Sequence, residues 1–356
     1  MRTFGFFFIL IFLMSLASYG QQKGKAKIAV IQASGSPRQD LFIEDYAPTK
    51  VQSQMKAHLN KLLDLFTEAG EMGADLVCGP EDMQHIGSYG LHIDVKDPET
   101  GKILADALAV PVPGPLTDMV AEIARKYKMY IIAPIYEATN GKVYNTAVVF
   151  DRQGNIMGKH RKTILPILET WLVSTGDEYE VFETDFANIS VATCWEISYP
   201  EISSIYALKG ADIIFNPTMA KDNKSGESLE TAHMFITRAK DNSVYIAPVV
   251  LGSDGNGIID FNGEVVGEAV GKKDCVIMTE IDFSKERLME SKWWESINGT
   301  NNTKAIMLKS RRPETYQLLS DPNPPVLERY KDIHLTTGDR KRQLKAVTEV
   351  DYGKKQ

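Results

Sequence analysis

Three side chains in this sequence have the types needed for nucleophilic attack on a carbonyl or nitrile carbon. Cys194 stands in "VATCWEISYPEI" (residues 191–202), Glu81 ends "ADLVCGPE", and Lys162 lies in "GKHRKTILP". A working thiol requires a base to take its proton and a positive or N–H-donating group for the charge of the tetrahedral intermediate. A cysteine, a carboxylate and an ammonium group supply those roles, provided the fold brings them together. Taken singly, each has a plainer account: a cysteine that packs a strand, a loop carboxylate, and one of four basic residues in a solvated "KHRK" turn.

The elements around them decide whether they can meet. "AKIAVIQAS" reads as a buried strand, and Val51, Met55, Leu59, Leu62, Phe66 and Ala69 recur at the three- and four-residue spacing of an amphipathic helix. "ADLVCGPE" is a second buried strand, stopped by Pro80. A helix through "LTDMVAEIARKY", strands at "MYIIAPIYE" and "YNTAVVF", and a turn at "DRQGN" lead into "IMGKHRK". Then come a strand at "ISVATC", a helix at "YPEISSIYALKG", a strand at "ADIIF", a helix at "LETAHMFITRAKDN" and a strand at "VYIAPVV". The hairpin "GIIDFNGEVVGEA" turns at Asn262-Gly263. Helices alternating with short apolar strands predict layered α/β, and hairpins over 143–159 and 258–270 make the sheets mixed. Glu81, Lys162 and Cys194 each leave a strand end, where α/β sites are built.

The chain has 356 residues, 43% hydrophobic and 24% charged, with a formal net charge of −7. That balance allows a substantial core, and the lack of a dense basic stripe argues against a nucleic-acid partner. Residues 1–20 hold Arg2, an apolar stretch from Phe4 to Leu16 and the small residues Ser18 and Gly20. They read as a signal peptide cleaved near Gly20, with the mature chain exported, because a membrane span needs about 20 apolar residues. Residues 26–300 carry no Pro/Gly/Ser linker and are assigned to one domain. Residues 301–356 form a C-terminal extension that wraps a partner subunit or stays mobile. Only Cys78, Cys194 and Cys275 occur, with no C-x-x-C pair, which excludes a disulfide scaffold or a structural zinc site. The histidines show no metal-ligand spacing, and phosphate-binding and serine-nucleophile motifs are missing, so no metal and no cofactor are expected.

With these residues in view, the chain resembles the nitrilase (carbon–nitrogen hydrolase) superfamily. "GPE", "KHRKTILP" and "CWEISYPE" look like its three signature segments in the order Glu, Lys, Cys. "GADIIFNPT", "RAKDNSVYIAPV" and "GIIDFNGEVVGEA" resemble further segments in the same succession, over residues 27 to about 285, and "RRPETY" resembles the nitrilase-branch tail. The resemblance implies an α-β-β-α sandwich that pairs into a homodimer or larger homo-oligomer, through the helices "YPEISSIYALKG" and "LETAHMFITRAKDN". It implies Cys194 as nucleophile, Glu81 as general base, Lys162 as stabiliser of the tetrahedral species and Glu169 as the carboxylate orienting the lysine and the substrate. The backbone N–H of Trp195 is the implied oxyanion donor. On this reading Lys162 also lowers the cost of the thiolate.

The implied substrate is a small amide, nitrile or carbamoyl compound. "CWE" and "ILETWLVSTGDEYEVFET" are similar to the nitrilase branch, although Ile197 stands where that branch commonly has asparagine. Trp171, Trp195 and Tyr199 are candidates for the pocket or its rim, with core filling the alternative. His85 and His92 fall in the long segment after Glu81, where a substrate loop could lie, and read as surface residues otherwise; Glu196 reads as a pocket carboxylate or an internally paired one. An acyl transferase would share the covalent intermediate. A membrane-embedded transferase would need several spanning helices, and a catalytically dead binding module would have lost a member of the Cys-Glu-Lys set.

Overall fold

The computed structural model describes residues 23–34, 48–86 and 101–335, apart from 103, 168, 172, 220, 221, 223–225, 253 and 334. Residues 1–20, where a signal peptide is expected, His92 and the end of the C-terminal extension lie outside the described residues, as does the side chain of Trp171.

Two six-stranded sheets face each other. The first runs in the order β12-β1-β2-β3-β4-β5 and the second in the order β11-β10-β9-β8-β7-β6. In the first, β1 (Lys25–Gln32), β2 (Leu76–Cys78) and β3 (Tyr130–Thr139) are parallel neighbours, while β4 (Lys142–Phe150), β5 (Ile156–Arg161) and β12 (Cys275–Asp282) join antiparallel. The second repeats the arrangement. Parallel β7 (Asn188–Val191), β8 (Ile213–Thr218) and β9 (Tyr245–Val250) form its centre, with β6 (Val181–Glu183), β10 (Gly257–Ile259) and β11 (Val265–Glu268) antiparallel at the edges. Both sheets are mixed, as the two hairpins foretold. The β3–β4 hairpin closes at Asn140-Gly141, with φ of 50° and 72°, the left-handed pair that a two-residue turn requires.

Side-chain alternation separates the layers. Ile28 and Val30 of β1 point between the sheets, where they pack with Leu76, Ile132, Val191 and Phe215. Ala29 and Ile31 point outward onto Leu62, Phe66 and Ala69 of α1 (Pro48–Glu71), and Val120 and Ala124 of α3 (Pro115–Tyr127) cover the same face. The short α2 (Leu104–Leu108) precedes α3. On the far side, Ile202 and Tyr206 of α4 (Pro200–Leu208) and Phe235 and Ala239 of α5 (His233–Asn242) pack on Ile214 and Ile246. Completely buried residues such as Phe66 and Phe215 each stabilise the fold by about 1.5–3 kcal/mol. The result is an α-β-β-α sandwich. Strand β12 has no counterpart in the sequence reading: its half-buried positions give a weak alternation, and its place is set by an eight-residue antiparallel register with β1. After it, α6 (Trp293–Asn298) and α7 (Thr303–Lys309) lead into a series of exposed turns. Among the described residues no helix is long and apolar enough to cross a membrane.

Candidate active site

Glu81, Lys162 and Glu169 meet inside the protein. Glu81 lies just past β2, Lys162 just past β5, and Glu169 opens a one-turn 3-10 helix over Glu169–Trp171. The Lys162 ammonium sits 2.9 Å from Glu81 Oε1 and 2.6 Å from Glu169 Oε2, and all three residues are buried. Burial works against the charge on Lys162, but the carboxylates of Glu169 and Glu81 outweigh it and hold the ammonium well above its usual range. Burial raises Glu169, against the pull of Lys162, and Glu81 adds to the rise.

The "KHRK" run is therefore not a solvated turn. It follows strand alternation: Lys159 and Arg161 reach one side and bind the buried Glu137, at 2.5 and 2.9 Å, while His160 is buried toward the other. Lys162 leaves the strand and its backbone N–H donates to the Asn145 carbonyl at 2.9 Å.

Cys194 occupies the turn between β7 and α4, at the start of a short 3-10 helix (Cys194–Ser198). Its φ is 51°, the left-handed region that costs a side-chain-bearing residue roughly 1–3 kcal/mol. The neighbours fix this conformation. Asn216 of β8 donates through Nδ2 to the carbonyls of Ala192 (2.5 Å) and Cys194 (3.3 Å), and Arg238 of α5 donates to those of Ile197 (3.1 Å) and Ser198 (3.0 Å). A half-buried cysteine on a sharp strand-to-helix turn presents its Sγ at the end of the sheet. Burial is the main reason that its thiol is pushed up to about 11, and Glu81 adds to the rise. Lys162 and a hydrogen bond with Thr218 act in the opposite direction. Lys162 thus does favour the thiolate, as expected, but burial and Glu81 exceed it and the resting group is the neutral thiol.

Other expected residues fall as follows. Trp195 and Tyr199 are 45% and 38% exposed, with the indole N–H donating to the Tyr199 hydroxyl at 3.1 Å, so neither fills core. Ile197 is buried against the outer helices, among Ile202 and Phe235. His85 is not a surface residue: it is buried and stacks on His58, ring centroids 4.4 Å apart, and burial followed by His85 brings His58 down to about 3. Glu196 is fully buried and paired internally, with Thr163, Thr193 and His160.

The sequence reading missed Asn145. Its Nδ2 lies 2.8 Å from Glu81 Oε1 and 2.7 Å from Glu169 Oε1, so one amide bridges both carboxylates. The remaining oxygen of Glu81 accepts the backbone N–H of Met219 at 2.9 Å. Directly opposite Asn145 in the β3–β4 pair stands buried Tyr136. Burial, then Glu169, Asp82, Glu81 and Cys194, push its phenol well above the usual range, which puts it within the field of the site. A polar residue inside an otherwise apolar strand was the available signal for Asn145.

The layered fold and the buried cluster are those of an α/β sandwich with a polar site at its strand ends, and comparison with known proteins gives the family. Residues 27–290 match the family model described as carbon-nitrogen hydrolase. The chain belongs to the carbon–nitrogen hydrolase family. It is 31% identical over 248 residues to the omega-amidase NIT2-A of Xenopus laevis, covering 64% of this chain and 83% of the relative. It is 36% identical over 172 residues to the bifunctional nitrilase/nitrile hydratase NIT4A of Lupinus angustifolius, covering 46% and 49%. Among solved structures, a mutant of an amidase from Nesterenkonia sp., with an acetamide moiety added covalently at its active-site cysteine, superposes with a TM-score of 0.57 at 18% identity. That match covers 83% of this chain and 97% of the amidase. The chain is an enzyme of carbon–nitrogen bond hydrolysis, of the amidase and nitrilase kind.

Proposed function

We propose that this enzyme hydrolyses a small amide and releases ammonia, with Cys194 as nucleophile, Glu81 as general base and Lys162 as the cation that stabilises the tetrahedral species. Glu169 orients Lys162, and the Trp195 backbone N–H serves as oxyanion donor. The observation that carries this reading is the buried Lys162, ion-paired to both Glu81 and Glu169 and electrostatically coupled to the Cys194 thiol. The 83% coverage of an omega-amidase supports an amide over a nitrile.

The reaction runs through one covalent intermediate. Because the thiol is neutral at rest, its proton passes to Glu81 as Sγ attacks the carbonyl carbon. The negative charge that develops on oxygen is met by Lys162 and the backbone donor. Glu81 returns the proton to the nitrogen, the C–N bond breaks and ammonia leaves a thioester. Water then gives a proton to Glu81 and its oxygen to the carbonyl carbon, the C–S bond breaks, and the thiol is restored. The exposure of Trp195 and Tyr199 at the cysteine turn supports reading them as rim residues that meet the substrate. We also read the mature chain as exported and assembled through α4 and α5.

The test is ammonia release by the reduced enzyme over a panel of small amides, nitriles and carbamoyl compounds, with Cys194→Ala alongside. An amide as best substrate, with no release by the variant, is expected. Undiminished release by Cys194→Ala would overturn the reading, a nitrile or carbamoyl preference would move the substrate, and transfer to an added amine in preference to water would make the enzyme an acyl transferase.

A further inference from the structure

A second buried charge cluster, separate from Glu81, Lys162 and Glu169, joins the cysteine turn to the lysine strand. Glu196 is its centre. Oε1 accepts the backbone N–H of Thr163 (2.8 Å) and the Thr163 hydroxyl (2.6 Å), while Oε2 accepts the backbone N–H of Thr193 (2.6 Å) and lies 2.9 Å from His160 Nε2. Four contacts fill the two oxygens, so this carboxylate has no free site with which to take a proton from substrate or thiol. Thr193 immediately precedes Cys194, Thr163 immediately follows Lys162, and His160 lies two residues before it. His160 is completely buried, and its Nδ1 sits 3.0 Å from Glu180 and 3.3 Å from the Tyr206 hydroxyl, which donates to the Val191 carbonyl at 2.5 Å.

We propose that Glu196 and His160 are positioning residues that fix the distance between the Cys194 thiol and the Lys162 ammonium by clamping the two chain segments that carry them. The inference rests on the reading of Cys194 as nucleophile. Asn216 and Arg238 also hold the left-handed turn, through carbonyls of Ala192, Cys194, Ile197 and Ser198. Glu196 differs in what it connects: the turn belongs to the second sheet, and Thr163 and His160 to the end of β5 in the first. Sliding of one sheet end relative to the other is opposed by this carboxylate. Its charge is matched within the fold, since His160 lies between Glu180 and Glu196, with Tyr206 and Tyr179 the other titratable groups around it. An unsupported reactive group misplaced by about 1 Å can lose roughly 100-fold in rate.

The experiment compares Glu196→Gln and His160→Gln with the wild-type enzyme. In Glu196→Gln the single amide oxygen serves either Thr163 or the Thr193 and His160 side, and the N–H₂ is then set against the N–H donors of the other. Three quantities are read: kcat and KM on the best amide, the iodoacetamide alkylation rate of Cys194 by mass spectrometry, and the pH profile of kcat. Each variant is expected to lose about 100-fold in kcat with little change in KM, and to alkylate Cys194 at an altered rate. The wild type is expected to lose activity as pH rises through about 9, where His160 gives up its proton, and His160→Gln to lack that limb. Folding is checked by circular dichroism, and if Glu196→Gln fails to fold, His160→Gln decides. Wild-type kcat and an unchanged pH limb in a folded variant would overturn the clamp. If instead Cys194→Ala itself retains ammonia release, the nucleophile assignment has failed, a result that stands apart from either variant.

Discussion

Asn145 holds Lys162 through the backbone and Lys162's two carboxylate partners through its side chain. Its carbonyl accepts the Lys162 N–H at 2.9 Å, and its Nδ2 spans Glu81 and Glu169 at 2.8 and 2.7 Å. One residue of β4 therefore sets both where the ammonium emerges and how the carboxylates face it. Hydrogen bonds to charged groups contribute about 1.5–3 kcal/mol. Asn145→Ala removes both side-chain bonds while sparing the carbonyl, and is expected to lower kcat/KM about 10- to 100-fold in a folded enzyme. Steady-state kinetics with a urea unfolding curve check this, and unchanged kinetics would remove Asn145 from the site.

Lys162 is the cation between two buried carboxylates, and its loss leaves like charges facing each other in a buried site. Breaking such an arrangement by deleting one partner costs about 3–5 kcal/mol. Lys162→Met, close in volume, is expected to be inactive and to lower the stability extrapolated from urea unfolding by that order. The double change Lys162→Met with Glu169→Gln is expected to recover part of the loss, because one of the opposed charges is gone. No recovery would mean that the two residues do not interact energetically.

These two residues show where the sequence was readable. Glu81 and Cys194 could be seen because each ends an apolar run, and Lys162 because it follows the strand entered through the "DRQGN" turn; each leaves a strand exit. Layered α/β with mixed sheets followed from the alternation of those runs with helical spacing, while the α-β-β-α sandwich was implied by the family resemblance. Asn145 was hidden because nothing local says which carboxylates a mid-strand amide will bridge: Glu81 comes 64 residues earlier and Glu169 comes 24 later. His85 was misread for the same reason, since its stacking partner His58 lies on α1, 27 positions earlier. Glu196 looked ambiguous because its partners on the β5 side are set by the packing of one sheet on another. In each case a long-range contact decides the environment of a polar group.

The Cys194 thiol gives a third test. Burial is the first cause of its rise to about 11 and Glu81 the second. Glu81→Gln keeps the shape and removes the negative charge, so the thiol should ionise at lower pH while ammonia release is lost with the general base. Alkylation by iodoacetamide measured across pH 7 to 10 is expected to be faster in Glu81→Gln than in the wild type, although turnover falls by a factor of about 100 or more. Reactivity and catalysis move in opposite directions only if Glu81 is both the base and a negative neighbour of the thiol. Slower alkylation in the variant would contradict that arrangement.

The buried His160 makes stability depend on pH in a stated direction. Burial opposes its charge, but Glu196 and Glu180 outweigh it and raise the imidazole from 6.5 to about 9. Below pH 6.5 folded and unfolded chains both carry the proton, and the ion pairs contribute in full. Above 6.5 the unfolded chain releases its proton first, and the contribution declines until the folded protein has released its own near pH 9. A displacement of that size corresponds to about 3 kcal/mol of stability for a completely buried group. Glu196 moves the other way: burial works against its charge, His160 leads the interactions that hold it below its usual range of 4.5, and its contribution is lost as pH falls through that lowered value. Urea unfolding of the wild type between pH 6 and 10 is expected to show stability falling over the upper part of that range. His160→Gln is expected to be less stable at pH 6 and to show a shallower decline, so that the two curves converge above pH 9. Parallel curves across the whole range would show that the imidazole carries no extra proton in the folded enzyme, and that the Glu180 and Glu196 contacts are made to a neutral ring.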